Sequence, residues 1–189
     1  MGAINLEHGK FAYCADFAFY ALTIVAIAFY LIASSASATW TDGILLMLTA
    51  TAGLCAWSLI EYLLHRFVLH GLQPFKRWHL EHHARPAALI GAPTILSCSL
   101  IFALVSLPAW ALLGLQCAAA LTLGVLVGYL TYASVHHGVH HWRATGAWLT
   151  KRKRWHALHH HACATGAPGR YGVSTSLWDY VFAPAAARQ

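Results

Sequence analysis

GILLMLTATAGLCAWSLIEYLLHRFVLH, residues 43–70, begins as an apolar run typical of a membrane helix and ends in two histidines. A helix of these 28 residues would be about 42 Å long, whereas the hydrocarbon core of a bilayer is about 30 Å thick. We therefore expect the apolar part, 43–60, to cross a membrane and the last turns to project beyond it. Those turns carry Glu61, His65 and His70, so histidines are expected at one end of a membrane helix.

The composition of the whole chain is that of a membrane protein. Of its 189 residues, 59% are hydrophobic and only 10% are charged, and the mean hydropathy is +0.55. Three further apolar stretches are long enough, or nearly so, to cross a bilayer: about 17–33, roughly 94–113 with a bend or interruption at Pro108, and roughly 117–135. We predict an all-α, four-transmembrane-helix integral membrane protein that forms a single domain over residues 1–189.

The basic residues predict the orientation of these helices. With four spans, all twelve Lys and Arg residues fall on one side, and the opposite loops, 34–42 and 108–116, contain none. Because short cytoplasmic loops are enriched in Lys and Arg, we predict that both termini and every histidine are cytoplasmic, in a bacterial inner membrane or in the ER membrane of a eukaryote. The formal charge of +6 suits contact with anionic lipids, and no nucleic-acid partner is expected because 151–154 is the only basic run.

Thirteen of the fourteen histidines fall into four short clusters with the spacing of metal sites. The clusters are H-x4-H ending at His70, H-x2-H-H ending at His83, H-x3-H ending at His140 and interleaved with His137 and His141, and H-x2-H-H ending at His160 and followed by His161. Side chains three or four residues apart share a helix face, and imidazole is a common ligand of transition metals. Four clusters exceed the needs of one mononuclear site, so we predict at least two metals. The alternative is a histidine-rich surface without a fixed metal.

The donor type narrows the metal chemistry. The H-E-x-x-H signature of zinc proteases is absent, so peptide hydrolysis has no support. The chain contains only six carboxylates, too few near the clusters for a ferritin-like carboxylate-bridged pair. A site made almost wholly of neutral imidazoles suits iron, zinc or copper. Among these, iron is the metal expected to activate dioxygen in such surroundings.

Several polar residues beside the clusters could support the ligands. Glu61 and Glu81 could orient ligand imidazoles, or they could be ordinary acids on a helix surface. Asp179 could orient a ligand histidine or cap a helix. Three further histidines are adjacent to ligand candidates but point to other helical faces, so support of the ligands and a surface position are both open for His137, His141 and His161.

Five motifs follow one another in order over about residues 45–183: EYLLHRFVLH (61–70), RWHLEHH (77–83), GYLTYASVHHGVH (128–140), RWHALHH (154–160) and YGVSTSLWDYVF (171–182). Together they resemble the fatty acid hydroxylase superfamily, which includes sterol desaturases, carotenoid hydroxylases and fatty acid 2-hydroxylases. The last motif is most similar to the fatty acid 2-hydroxylase branch.

The resemblance implies a dinuclear iron site in a histidine-rich cytoplasmic cap over four membrane helices, although zinc can occupy such a site in a structure. It implies hydroxylation of a lipid acyl chain, expected at C2, with O2 and electrons. Because the chain has no room for a fused cytochrome b5 domain, we expect a separate electron donor of cytochrome b5 or ferredoxin type. The implied metal ligands are His65, His70, His79, His82, His83, His136, His140, His156, His159 and His160.

Three alternative functions are compatible with parts of the sequence. A carotenoid or sterol hydroxylase or desaturase of the same superfamily is the main alternative, because histidine clusters alone do not separate lipid types. A metal transporter would need ionisable residues partway across the bilayer, and the second to fourth spans have none apart from cysteines. A b-type cytochrome with two haems needs about four histidines that face each other across helices, whereas here more than that number crowd one membrane end.

Overall fold

The computed structural model describes residues 7–35, 39–143, 145–164 and 169–182, and these residues are mostly helical. An isolated antiparallel bridge joins Glu7 to Ile90. Two π-helical turns, Leu64–Leu69 and Phe102–Ser106, follow α2 and α4 directly. The predicted all-α class is confirmed. The α-helices are α1 (Lys10–Ser34), α2 (Trp40–Leu63), α3 (Phe75–Ala84), α4 (Thr94–Ile101), α5 (Leu107–His141), α6 (Ala147–Ala164) and α7 (Leu177–Phe182).

Three helical segments in the described part of the chain are long and apolar enough to cross a membrane: Lys10–Ser34, Trp40–Leu69 and Thr94–His141. The first begins earlier than the apolar run 17–33 and so includes a carboxylate that has a partner within the protein. In particular, the hydroxyl of Thr94 donates a 2.6 Å hydrogen bond to the carboxylate of Asp16. The protein is therefore an integral membrane protein by the length and composition of these helices.

The third segment is interrupted twice. The π-helical turn Phe102–Ser106 ends two residues before Pro108, whose nitrogen has no hydrogen to donate to the preceding turn. Further along, Gly114 has φ 79° and ψ 169°, a backbone conformation that favours glycine. The hydroxyls of Ser106 and Thr122 lie 3.0 Å apart, whereas 16 residues of straight helix would separate them by about 24 Å. The chain therefore reverses at Gly114, and the two arms lie side by side.

The described residues form two compact units. The first unit comprises residues of Met1–Trp57 and Leu89–Leu130. Its helices approach closely where side chains are absent, since a Cβ atom on Gly53 would collide with the backbone oxygen of Leu121 and one on Gly124 would collide with that of Ala50. Small residues at such contacts let membrane helices pack through their backbones.

The first unit also contains an apolar cavity of about 270 Å³. The hydroxyls on its wall already have partners within the protein: Tyr20 bonds to Ser97 at 2.7 Å, and Thr23 donates to the carbonyl of Phe19 at 2.8 Å. Because these hydroxyls are already hydrogen-bonded, the cavity offers a ligand mainly apolar surface. Such a cavity suits a hydrocarbon chain better than a polar group. Its apolar walls include Ile27, Ile101, Phe102, Trp110, Ala119 and Leu126.

The second unit comprises residues of Ser58–Ala88 and Thr131–Gln189, and it carries all four histidine clusters. Its apolar core is small, with Val135, Val139 and Val173 buried and Tyr132 and Leu149 packed against them. Much of the remaining interior consists of imidazole rings, of which those of His65, His79, His82, His156 and His159 are buried. The ends of α2 and α5, together with α3, α6 and α7, position these rings.

Candidate metal centre

The first histidine cluster lies on the π-helical turn Leu64–Leu69, which continues α2. On a regular α-helix, residues five apart point about 140° away from each other, so His65 and His70 would not share a face. With the wider turn between them, their ring centroids lie 5.2 Å apart. π-Helical turns are frequent at functional sites, and here one aligns two rings that five-residue spacing alone does not align.

Five imidazoles from three of the clusters form a first set, called group 1. Their nitrogens lie within 4.8 Å of one another. The Nε2 atom of His79 is 3.0 Å from that of His65 and 3.0 Å from that of His83, and the Nε2 atoms of His70 and His159 are 3.1 Å apart. The members of group 1 are His65, His70, His79, His83 and His159.

Four more imidazoles form a second set, called group 2: His82, His136, His140 and His156, again with nitrogens within 4.8 Å of one another. The Nε2 atoms of His140 and His156 are 2.9 Å apart. The tenth predicted ligand, His160, lies beside this set, with its Nε2 atom 3.0 Å from that of His156. Its ring also stacks on His83 of group 1 at 4.0 Å. The structure thus brings all ten predicted histidines together.

The spacing of these nitrogens fits metal binding. Two nitrogens that bind one ion at about 2.1 Å and at right angles lie about 3.0 Å apart, and the Nε2–Nε2 distances given above are 2.9–3.1 Å. Both ring nitrogens of His82 and the Nε2 atom of His136 are buried without a hydrogen-bond partner. Because buried polar atoms normally have partners, these nitrogens are suited to coordinate a cation. Each group could hold a metal ion.

The imidazoles are also in the protonation state that metals require. Burial, together with repulsion between neighbouring rings, lowers the pKa of His82 to about 3 and that of His83 to about 2. Burial likewise lowers the pKa of His70 and of His160 to about 4. These rings are therefore neutral near pH 7, and neutral imidazole is the form that binds a metal.

Two rings of group 1 are oriented by hydrogen bonds from their Nδ1 atoms to backbone carbonyls. The Nδ1 atom of His65 donates to the carbonyl of Tyr171 at 2.5 Å, and that of His159 donates to the carbonyl of Gly169 at 2.8 Å. A hydrogen on Nδ1 leaves the lone pair on Nε2, which is the nitrogen that faces the other rings. Neither acceptor could be predicted from the sequence, because every residue has a backbone carbonyl oxygen and no residue type indicates which one accepts.

Asp179 fixes the backbone that supplies one of these carbonyls. Its carboxylate is 8% exposed and accepts hydrogen bonds from the backbone N–H groups of Tyr171 at 2.7 Å and Gly172 at 2.9 Å. It also accepts one from the indole N–H of Trp155 at 3.1 Å. The predicted support of a ligand histidine by Asp179 therefore runs through the backbone of Tyr171 to His65.

Glu61 holds the next two residues of the same segment. This carboxylate is 3% exposed, and its Oε1 atom accepts hydrogen bonds from the N–H groups of Val173 at 2.8 Å and Ser174 at 2.9 Å. Its Oε2 atom accepts a hydrogen bond from the hydroxyl of Ser174. Four consecutive N–H groups, 171–174, thus donate to two buried carboxylates that are 118 positions apart in the sequence.

The other residues considered as ligand support lie outside the two groups. Glu81 forms a 2.5 Å ion pair with Arg85, and the two side chains are 39% and 45% exposed. This placement favours the alternative for Glu81, an ordinary acid on a helix surface. The ring of His137 stacks on that of His141 at 4.5 Å, and His161 is exposed.

Comparisons with known proteins are consistent with this site. The family model described as fatty acid hydroxylase matches residues 50–183, a range that contains every member of both groups. The chain is 32% identical over 145 residues to the dihydroceramide fatty acyl 2-hydroxylase FAH2 of Arabidopsis thaliana and 32% identical over 143 residues to the fatty acid 2-hydroxylase of Homo sapiens. Each match covers 69% of this chain but only 57% of the plant protein and 37% of the human protein.

A yeast relative and a solved structure extend the comparison. The chain is 33% identical over 147 residues to the ceramide very long chain fatty acid hydroxylase scs7 of Schizosaccharomyces pombe, covering 69% of this chain and 40% of that protein. A solved structure described as full-length scs7p, with only the hydroxylase domain visible, superposes with a TM-score of 0.69 at 25% identity. That match covers 86% of this chain and 65% of the solved one.

Proposed function

Because the chain belongs to the fatty acid hydroxylase family, we propose that it is a membrane-embedded monooxygenase that hydroxylates a lipid acyl chain at C2. The observation that carries the proposal is the convergence of ten imidazoles, nine in two neighbouring groups and His160 beside group 2. The names of the relatives, which are 2-hydroxylases and ceramide hydroxylases, support an acyl substrate. We propose two iron ions as the cofactor, one held by each group.

The bound iron pair would supply reductive activation of dioxygen, in which one oxygen atom enters a C–H bond and the other leaves as water after two electrons and two protons arrive. The protein provides the binding site and its surroundings. The carbonyls of Tyr171 and Gly169 fix the orientation of His65 and His159, which are 1% and 0% exposed. Such burial keeps water away from these two rings. The electrons come from a separate donor, of cytochrome b5 or ferredoxin type.

The test of this function is a comparison of lipids from cells that make the full chain and cells that lack it, both grown under ¹⁸O₂. We expect 2-hydroxylated acyl chains with one ¹⁸O atom only in cells that make the protein, detected by mass spectrometry after hydrolysis of the lipids. Equal amounts of labelled hydroxyacyl chains in both cultures would refute the proposal. Labelled hydroxycarotenoids or hydroxysterols instead would assign the chain to the other branch of the superfamily.

We further propose four membrane spans, with both termini and both histidine groups in the cytoplasm. The reversal at Gly114 supports two spans within Thr94–His141. The orientation is supported by the twelve basic residues, none of which lies in the loops 34–42 and 108–116.

Cysteine labelling tests this topology. In a variant whose five native cysteines are replaced by serine, Gln116→Cys is expected to react with a membrane-impermeant maleimide on intact cells, because it follows the reversal at Gly114. Lys151→Cys, at an exposed position of α6, is the matched control and should react only after the cells are opened. Labelling of Lys151→Cys on intact cells would reverse the orientation. Protection of both positions until lysis would argue against an external turn.

A further inference from the structure

The two groups of imidazoles are not equivalent in how their rings are held. In group 1, the Nδ1 atoms of His65 and His159 donate to backbone carbonyls, while that of His83 is buried without a partner. In group 2, the Nδ1 atoms of both His82 and His156 are buried without a partner. Hydrogen bonds at the second ring nitrogen fix the tautomer and the orientation of a ligand imidazole and raise its basicity.

We propose that group 1 is the tighter metal site and fills first, and that Asp179 is the positioning residue that makes it tighter. The segment that carries both carbonyl acceptors, 169–174, is fastened by Asp179 at Tyr171 and Gly172 and by Glu61 at Val173 and Ser174. Group 1 therefore binds a metal with two of its rings already oriented. Group 2 has to fix the tautomers of His82 and His156 when the metal binds. The inference rests on the metal binding proposed above, but not on the reaction.

The donors around Asp179 make one isosteric substitution informative. Three N–H groups point at its two oxygens, from Tyr171, Gly172 and Trp155. Asparagine offers one oxygen and one NH2 group, so every rotamer of Asp179→Asn directs an N–H group at another N–H group. The Tyr171 carbonyl should then lose its fixed position against His65, although the side chain keeps its size.

The groups that donate to Glu61 predict the opposite result for Glu61→Gln, namely that segment 169–174 is preserved. In Glu61→Gln, the amide oxygen can still accept from the N–H groups of Val173 and Ser174. The new NH2 group can donate to the hydroxyl of Ser174, because a hydroxyl oxygen is also an acceptor. Glu61→Gln should therefore preserve the segment that Asp179→Asn disrupts. Glu81→Gln is the matched control, because that glutamate pairs with Arg85 on the surface.

The experiment is a titration of the purified, metal-free full chain in detergent with Co²⁺, followed by visible absorption and by competition with a chelator. We expect two binding steps that differ at least about tenfold in affinity. Asp179→Asn should weaken the tighter step about 10- to 100-fold and leave the weaker step unchanged, which also shows that the variant is folded. Glu61→Gln should change the tighter step less than about threefold, and Glu81→Gln should match the unmodified chain.

Two ligand variants identify which group gives the tighter step. His65→Ala should lose it, whereas His156→Ala should keep it and lose the weaker step. The proposal is overturned if the two steps are equal, if Asp179→Asn leaves the tighter step unchanged, or if His65→Ala retains it. If the unmodified chain binds no Co²⁺ at all, the dinuclear site of the proposed function fails together with this inference. Two equal steps would leave the proposed function intact.

Discussion

Replacement of His156 by alanine is expected to abolish acyl hydroxylation and to reduce the metal content from about two ions per chain to about one. His156 is 3% exposed, and its Nε2 atom lies 2.9 Å from that of His140 and 3.0 Å from that of His160. Its ring also faces His136 at 5.0 Å. The substitution removes the nitrogen shared by these contacts. Because the loss of even an outer partner of a metal ligand typically lowers metal affinity or activity about 10- to 100-fold, we expect the amount of product to fall at least about 100-fold.

The measurements are elemental analysis of the iron-loaded chain and mass spectrometry of 2-hydroxyacyl products. His137→Ala is the matched control, because this histidine also lies in the second unit, on α5, but stacks on His141 outside both groups. We expect its metal content and product yield to stay within about twofold of the unmodified chain. Two bound ions and normal product in His156→Ala would refute the role of group 2.

The metal-free protein is expected to lose stability as the pH falls below about 6.5. In the folded chain, burial lowers the pKa of His70 and His160 to about 4, that of His82 to about 3 and that of His83 to about 2, from an ordinary value of 6.5. Below pH 6.5 the unfolded chain binds protons at these rings and the folded chain does not. Acid therefore favours unfolding: the loss develops from pH 6.5 down to about 4 for His70 and His160 and continues to lower pH for His82 and His83, while above pH 6.5 these groups add no pH dependence.

Thermal unfolding of the chelator-treated chain in detergent, followed by tryptophan fluorescence from pH 8 to pH 5, measures this effect. We expect the Tm to fall by about 10 °C or more over this range. His82→Gln should flatten the dependence, because it replaces a buried ring with a side chain that does not titrate. His8→Gln, in the first unit, serves as the control and should keep the slope of the unmodified chain. A Tm that is constant or higher at pH 5 would contradict the prediction.

The helices and the identity of the candidate ligands could be predicted from the sequence because both depend on local patterns. Apolar runs of span length predict membrane helices wherever they occur. H-x2-H-H brings three rings to neighbouring faces of one helix, as found on α3 and α6. The bounds were less accurate: α1 begins at Lys10 and not near residue 17, because a helix can extend beyond its apolar run, and here it includes Asp16, whose partner lies 78 residues away.

Local conformation that depends on backbone hydrogen bonds was not predicted. The π-helical turn after α2 brings His65 and His70 together, although five-residue spacing disfavours this on an α-helix. Similarly, the sequence predicts a break between the third and fourth apolar stretches, but it does not single out Gly114 as the residue with positive φ at which the chain reverses. Such features depend on how one turn accommodates its neighbours rather than on the type of any one residue.

Hydropathy and helical periodicity act over a few residues, so the amino-acid pattern alone predicts the apolar helices and places ten histidines at metal-site spacing. The division of those rings between the two groups is visible only in the folded chain. His82 and His83 are adjacent in the sequence yet belong to different groups, since consecutive residues on a helix point about 100° apart. The tertiary structure also distinguishes Glu61, which is buried against Val173 and Ser174, from Glu81, which lies on the surface. Both are helical acids beside ligands, and their different roles depend on contacts with residues that the folded chain alone brings near.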